Sequence, residues 1–272
     1  MRQLEKREAN GVVFYKSAQI DCPHGFSTRA GGVSVPPHLA TMNMGRNLGD
    51  DPDAVDENYR RFCAAIGIDP KTVVYTKQIH SANVLTVGKA DAGKTYECDG
   101  FVTGERGVAL SVRTADCVPI LFWSPDGVVG ACHAGWRGTV AGIQRATVEK
   151  MAELGADVTE IRAAVGASIR DCCYEVGCDF VDAVSASPNG AVCLRFISKK
   201  GGRRSADLFG NADLFGNADL VGMNVELLKG AGVKEENLSV SDLCTCCMPE
   251  LFFSHRASNG RRGVMAAIIA LR

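Results

Sequence analysis

Hydrophobic positions fall mostly into short dense or alternating runs, and only a few stretches space them as a helix does. Val12-Val13-Phe14-Tyr15, Gly25-Phe26-Ser27, Thr72 to Thr76, Val84 to Val87, Ile161 to Ala167, Leu251-Phe252-Phe253-Ser254 and Val264 to Leu271 are apolar or β-branched runs of strand length. Helical spacing appears where Val55, Tyr59, Phe62 and Ile66 share a face; Asp51-Pro52 supplies the cap and a proline at the first position, and Gly67 the stop. It appears again at Val140, Ile143, Thr147, Met151 and Leu154, a stripe that predicts one long amphipathic helix ending at Gly155. Two apolar strands precede that helix after Val108, and Ala134-Gly135-Trp136-Arg137-Gly138-Thr139 turns the chain into it. Strands outnumber helices, and helices come both between and after strand pairs, so the pattern predicts an α+β fold with mixed sheets.

At 46% hydrophobic residues the 272-residue chain has material for a sizeable core, and no linker-like stretch divides it, so residues 1–272 read as a single domain. The net charge of −1 gives no electrostatic case for nucleic acid or an anionic membrane and points to a small-molecule partner. Met1 to Glu8 is charged in both signs with no apolar run behind it, and Val264 to Leu271 is far too short to span a bilayer. A soluble, cytoplasmic protein is the expectation, and its twelve cysteines read as reduced, mostly buried thiols.

Chemistry enters where Cys117 and His133 stand beside the apolar strands after Val108, with His80 in Gln78-Ile79-His80-Ser81 as a third candidate. Two imidazoles and a thiolate are a documented catalytic zinc set with one open position. The same residues also read as a buried cysteine and two histidines satisfied by backbone carbonyls. After His133 the strand, turn and helix aim backbone N–H groups at whatever lies alongside, and Arg137 adds forked donors suited to phosphate; the alternative puts Arg137 in solvent. Asp116, next to Cys117, is a candidate for proton transfer. Asp99, before Gly100, is either an acceptor orienting a metal-bound histidine or a turn residue. Arg29, in a glycine-containing loop, can reach a phosphate or lie in solvent.

His24-Gly25-Phe26-Ser27-Thr28-Arg29-Ala30-Gly31-Gly32, Gln78-Ile79-His80-Ser81, Arg113-Thr114-Ala115-Asp116-Cys117, His133-Ala134-Gly135-Trp136-Arg137-Gly138, Cys173-Tyr174-Glu175-Val176-Gly177 and Phe253-Ser254-His255-Arg256 together resemble the successive motifs of the YfiH-type family. That family was long labelled multicopper polyphenol oxidase or laccase domain and is now regarded as purine nucleoside phosphorylases with adenosine deaminase activity. The resemblance covers nearly the whole chain. It implies a layered α/β/β/α sandwich, His80, Cys117 and His133 as zinc ligands, and adenosine, inosine, guanosine or methylthioadenosine with phosphate as substrates. Thr41-Met42-Asn43-Met44-Gly45 stands where the family has Ser-Leu-Asn-Leu-Gly, which makes Asn43 a substrate contact or a turn residue.

Three features depart from the family. His255 stands where tyrosine is usual, and Gly166-Ala167-Ser168 replaces Gly-Pro and a small residue. Ala-Asp-Leu-Phe-Gly-Asn at 206–211 recurs at 212–217; Asp219 is the copy in register with the family's last helix, so 206–217 reads as an inserted surface loop or extra helical turn. Cys172-Cys173 and Cys244-Thr245-Cys246-Cys247 are expected to bind no second metal. Copper-dependent phenol oxidation needs many imidazoles, and the chain has five histidines. A Cys117–His133 thiol hydrolase acting on amides or cell-wall peptides needs no role for His80. A structural zinc staple needs a fourth ligand that the motifs do not offer.

Overall fold

The computed structural model describes residues 1–199 and 214–272. Its backbone forms a seven-stranded mixed sheet in the order Glu5–Ala9, Val12–Lys16, His24–Ser27, Met265–Ala270, Ala109–Thr114, Val73–Lys77, Thr95–Glu97. A second, six-stranded sheet runs Leu238–Val240, Arg162–Val165, Val118–Ser124, Val128–Ala134, Gly100–Thr103, Val84–Thr86. The two face each other across Phe26, Val74, Leu110, Val112, Ala267 and Ile269 on one side and Phe101, Leu121, Val129, Ala131 and Ala164 on the other.

Each sheet is also covered on its outer face, which is why its central strands read as unbroken apolar runs. Along Met265–Ala270, Ala267 and Ile269 point between the sheets while Ala266, Ile268 and Ala270 point outward, onto helix Pro52–Ile66 through Val55, Tyr59, Phe62 and Ile66. That helix begins and ends as its sequence predicts: the Asp51 carboxylate accepts from the Asp53 amide, and Gly67 takes a left-handed φ of 75°. Burying a side chain such as Phe62 in this layer contributes roughly 1.5–3 kcal/mol. On the far side, Ile120, Phe122 and Cys132 of the six-stranded sheet meet Ile143, Val148, Met151, Leu220 and Val221 of two helices, Ile143–Glu153 and Leu220–Gly230. The result is the α/β/β/α layering.

Three local expectations are corrected. The long helix after His133 is two helices, Trp136–Ala141 and Ile143–Glu153, because Gly142 sits at φ 91°, where a right-handed helix cannot continue. Leu251 to Ser254 is not a strand; Phe252 and Phe253 are buried, so their hydrophobicity reflects packing rather than pairing. Of the repeat, 206–213 lie outside the described residues. Leu214–Ala218 is the middle strand of a small third sheet, between Glu175–Gly177 and Ile197–Lys199, rather than a loop or a helical turn. Asp219 caps the following helix as the register count predicts, its carboxylate accepting from the Gly222 amide. Among the described residues no helix is long and apolar enough to cross a membrane.

Candidate active site

Strand pairing brings the first two candidates together. Val118–Ser124 and Val128–Ala134 form a hairpin in which Pro119 faces His133 and Val118 faces Ala134. Continuing that register sets Cys117 against Gly135, where the absence of a side chain leaves room: a Cβ there would stand 3.0 Å from the His80 ring and 3.4 Å from both the Cys117 sulfur and the His133 ring.

His80 arrives from the other sheet. It lies in the loop after Val73–Lys77, exposed and at φ 59°, a backbone state that needs outside support. Asp99, wholly buried, gives that support. Its Oδ1 accepts from the His80 amide (3.0 Å), and its Oδ2 from the amides of Ile79 (3.2 Å) and Ser81 (2.7 Å) and the Ser81 hydroxyl (2.8 Å). The same Oδ1 lies 2.9 Å from His133 Nδ1. A carboxylate only accepts, so Nδ1 carries a proton, and Nε2 is the nitrogen left to bind a metal once its own proton is lost. One ligand atom each from His80, Cys117 and His133 then lie within 4.8 Å of one another, and the two rings meet edge to face at 4.9 Å.

The charges are mutually adjusted. Burial alone would raise the Cys117 thiol, but the adjacent His133 and the hydrogen bonds from both imidazoles outweigh it and hold the sulfur well below the ordinary thiol range. His133 is pushed the opposite way: burial disfavours its charge, and Cys117 and Asp99 more than restore it. Asp99, despite burial, is drawn down by its bonds to His133 and Ser81. One lone pair fixed by a carboxylate, one thiolate and one exposed imidazole form a donor set that fits a divalent metal with an open side.

The other predicted residues divide. Asp116, at φ 90°, accepts on both oxygens, from the Thr245 hydroxyl (2.6 Å) and the Arg256 amide (2.7 Å). Arg137 is exposed, stacks on Trp136 at 4.3 Å, and has no hydrogen-bond partner among the described residues. Arg29 does not face the centre as a free cation: its guanidinium donates to the carbonyls of Ala40 (2.8 Å) and Pro249 (2.5 Å) and lies over Phe253. Asn43 is wholly buried and bonds to Gly45, Asp50 and Val264, which is the turn-stabilising alternative. His24 is likewise spent inside the fold: Ser17 N–H donates to Nε2 and Nδ1 meets the Cys22 carbonyl. No multi-imidazole copper cluster can draw on it.

Arg262, in the basic stretch Arg261-Arg262 before the last strand, carries no motif signal. It is half-buried, its Nε finds no partner, and burial pulls its guanidinium below the ordinary value against the opposing charges of Asp116 and Cys117. Tyr174 was only a motif letter. Burial and the Cys117 charge push its phenol up, and its ring packs on Phe180 at 5.9 Å, which itself meets Trp136 at 5.0 Å, so an aromatic wall flanks the centre.

The described geometry has close counterparts. The crystal structure of YfiH from Bacillus licheniformis superposes with a TM-score of 0.85 at 28% identity, over 98% of this chain and 99% of that one. YlmD from Geobacillus stearothermophilus does so with a TM-score of 0.84 at 32% identity over all of both chains. By sequence the chain is 39% identical to a purine nucleoside phosphorylase of Deinococcus radiodurans across 97% of itself and 94% of that protein. It is 35% identical to the purine nucleoside phosphorylase YlmD of Bacillus subtilis across 91% and 88%. Residues 23–272 match the family model described as multi-copper polyphenol oxidoreductase laccase, and with these relatives the chain belongs to that family, the YfiH and YlmD proteins.

Proposed function

We propose that this chain is a zinc-dependent purine nucleoside phosphorylase that also deaminates adenosine. The observation carrying the reading is the convergence of His80, Cys117 and His133 on one point, with His80 exposed and a half-buried Arg262, its Nε unpartnered, within electrostatic reach of Cys117. Relatives named purine nucleoside phosphorylase, 39% and 35% identical, support the substrate class. His80 and the lone pair of His133, with the Cys117 thiolate, would hold the zinc, which supplies Lewis acidity next to the reacting atoms.

In phosphorolysis a phosphate oxygen bonds to the anomeric carbon while the C–N bond to the base breaks, and the base takes up a proton as it leaves. Positive charge develops on the ribose ring, so an anion held close by lowers the barrier. Arg262 is a half-buried cation with an unspent donor, and Arg137, stacked on Trp136, adds an exposed one. Asp116 retains a second lone pair on each oxygen while Thr245 and the Arg256 amide fix its direction, so it can take a proton from water or pass one to a leaving base. For deamination the same carboxylate would take a proton from the water as its oxygen bonds to C6 and return it to the amino group as the C6–N bond breaks and ammonia leaves, while the other water proton ends on N1 of the base.

Incubating the zinc-loaded protein with adenosine tests both halves. Adenine and ribose 1-phosphate should form only when phosphate is present, inosine and ammonia without it, and His80→Ala should abolish both. Turnover that survives in His80→Ala but not in Cys117→Ala would instead establish a thiol hydrolase. Turnover of phenols and not nucleosides, with several copper ions per chain, would overturn the proposal in favour of oxidation.

A further inference from the structure

The expectation that the remaining cysteines bind nothing does not survive the geometry. Cys244 and Cys247 are themselves a Cys-x-x-Cys pair, hidden in the run Cys244-Thr245-Cys246-Cys247, and the fold brings Cys172-Cys173 against it. A parallel bridge between Ser168 and Cys244, with the Thr245 amide donating to the Ser168 carbonyl at 3.1 Å, sets the two segments side by side. The sulfurs of Cys172, Cys173, Cys244 and Cys247 all lie within 4.8 Å of one another. Cys247 Sγ is 3.6 Å from Cys172 and 3.3 Å from Cys173, which are 3.7 Å apart.

Four thiolates at about 2.3 Å from a zinc ion stand at the corners of a tetrahedron with edges of about 3.8 Å. The cluster is close to that shape. A disulfide would bring one pair to about 2.05 Å and leave two sulfurs over, whereas here no pair is bonded. Backbone N–H groups already point at one corner: the Arg170 amide lies 3.4 Å from Cys244 Sγ, and the amides of Cys246 and Cys247 also face that sulfur. Donors aimed at sulfur favour the thiolate, the form that binds metal.

We infer that Cys172, Cys173, Cys244 and Cys247 form a second, closed metal site taking one zinc ion through four thiolates. Its role follows from what it joins. Thr245, between two of these cysteines, and Arg256, farther along the same chain end, hold Asp116, and the Arg256 guanidinium donates to the carbonyls of Cys173 and Glu175. An ion here staples together the wall behind the active site, leaving no open position for substrate.

Zinc analysis of the full chain, prepared under reducing, oxygen-free conditions and equilibrated with Zn2+, tests this independently of what the His80 site does. Wild type should hold two ions, Cys172→Ser/Cys247→Ser one, and His80→Ala one. The cobalt form of His80→Ala should carry several-fold stronger sulfur-to-metal charge-transfer absorption than that of the double serine variant, because four sulfurs replace one. If the serine variant does not fold, mercurial titration of wild type should release a second equivalent of zinc only after the accessible thiols have reacted. A His80→Ala chain without zinc, equal zinc in wild type and the serine variant, or an absorbing iron–sulfur centre in place of zinc would overturn the inference.

Discussion

The acceptor that joins His80 to His133 is the place where one altered atom should say most. Asp99→Asn keeps shape and volume but turns one oxygen into an NH2 group. If that group replaces Oδ2, it confronts the Ile79 and Ser81 amides, now 3.2 and 2.7 Å away, and two partly buried donors lose their acceptor. If it replaces Oδ1, it confronts the His80 amide at 3.0 Å and forces His133 to accept at Nδ1, moving the ring proton to Nε2. An unsatisfied buried donor costs about 1–3 kcal/mol, so the second arrangement, which strands one donor rather than two, is the cheaper for folding. It is also the one that seals the lone pair a metal needs. The chain should therefore fold with a loss of about 1–3 kcal/mol, a few degrees in Tm at roughly 2–4 °C per kcal/mol, while zinc affinity falls about 10- to 100-fold. Ser81→Ala, which removes only the hydroxyl bonded to Oδ2, is the control and should leave zinc affinity within about threefold. Competition against a chelating dye gives the affinities and calorimetry the Tm. Zinc binding in Asp99→Asn as tight as in the control would refute the reasoning, because the tautomer would then not depend on this carboxylate.

Gly135→Ala places a methyl 3.0 Å from the His80 ring, which must back away by a few tenths of an ångström; zinc should bind about tenfold more weakly with Tm nearly unchanged, and unchanged affinity would show the ring is not constrained there. Arg262→Gln keeps a polar group but removes the charge, and should raise the KM for phosphate at least tenfold while leaving phosphate-independent deamination nearly intact; equal loss of both would assign Arg262 to folding rather than to the anion. His24 gives a pH signature in stability. Burial lowers it from 6.5 to about 4, so between those values the unfolded chain binds the proton and the folded chain does not. Its contribution is full above about 6.5 and lost as pH falls toward 4, up to about 3 kcal/mol, and urea titrations at pH 7 and 4.5 should show a fall that His24→Gln abolishes.

The parts legible in sequence were those that chain neighbours decide. Unbroken apolar runs such as Val128 to Cys132 exist because both faces of the strand are covered, and Asp51-Pro52 with Gly67 bounded its helix to the residue because capping is local chemistry. Cys117 and His133 also belong to this class, since a hairpin around Ser124 to Gly127 sets their register. Side-chain roles set by distant burial were not legible. Arg29 and Asn43 occupy motif positions, yet their polar atoms are spent on Ala40, Pro249, Gly45, Asp50 and Val264. Arg262, one arginine in a basic tail, has an unspent donor because the tail folds it against Asp116 and Cys117. Cys172-Cys173 and Cys244-Cys247 meet through the bridge at Ser168 and the Arg170 contacts beside it, which no local pattern announces. A motif therefore locates which segments converge, and the accounting of each donor and acceptor decides what a residue there is free to do. By that accounting the candidate site owes its form to Asp99, which sets the direction of His80 and His133, two of the three proposed metal ligands, at once.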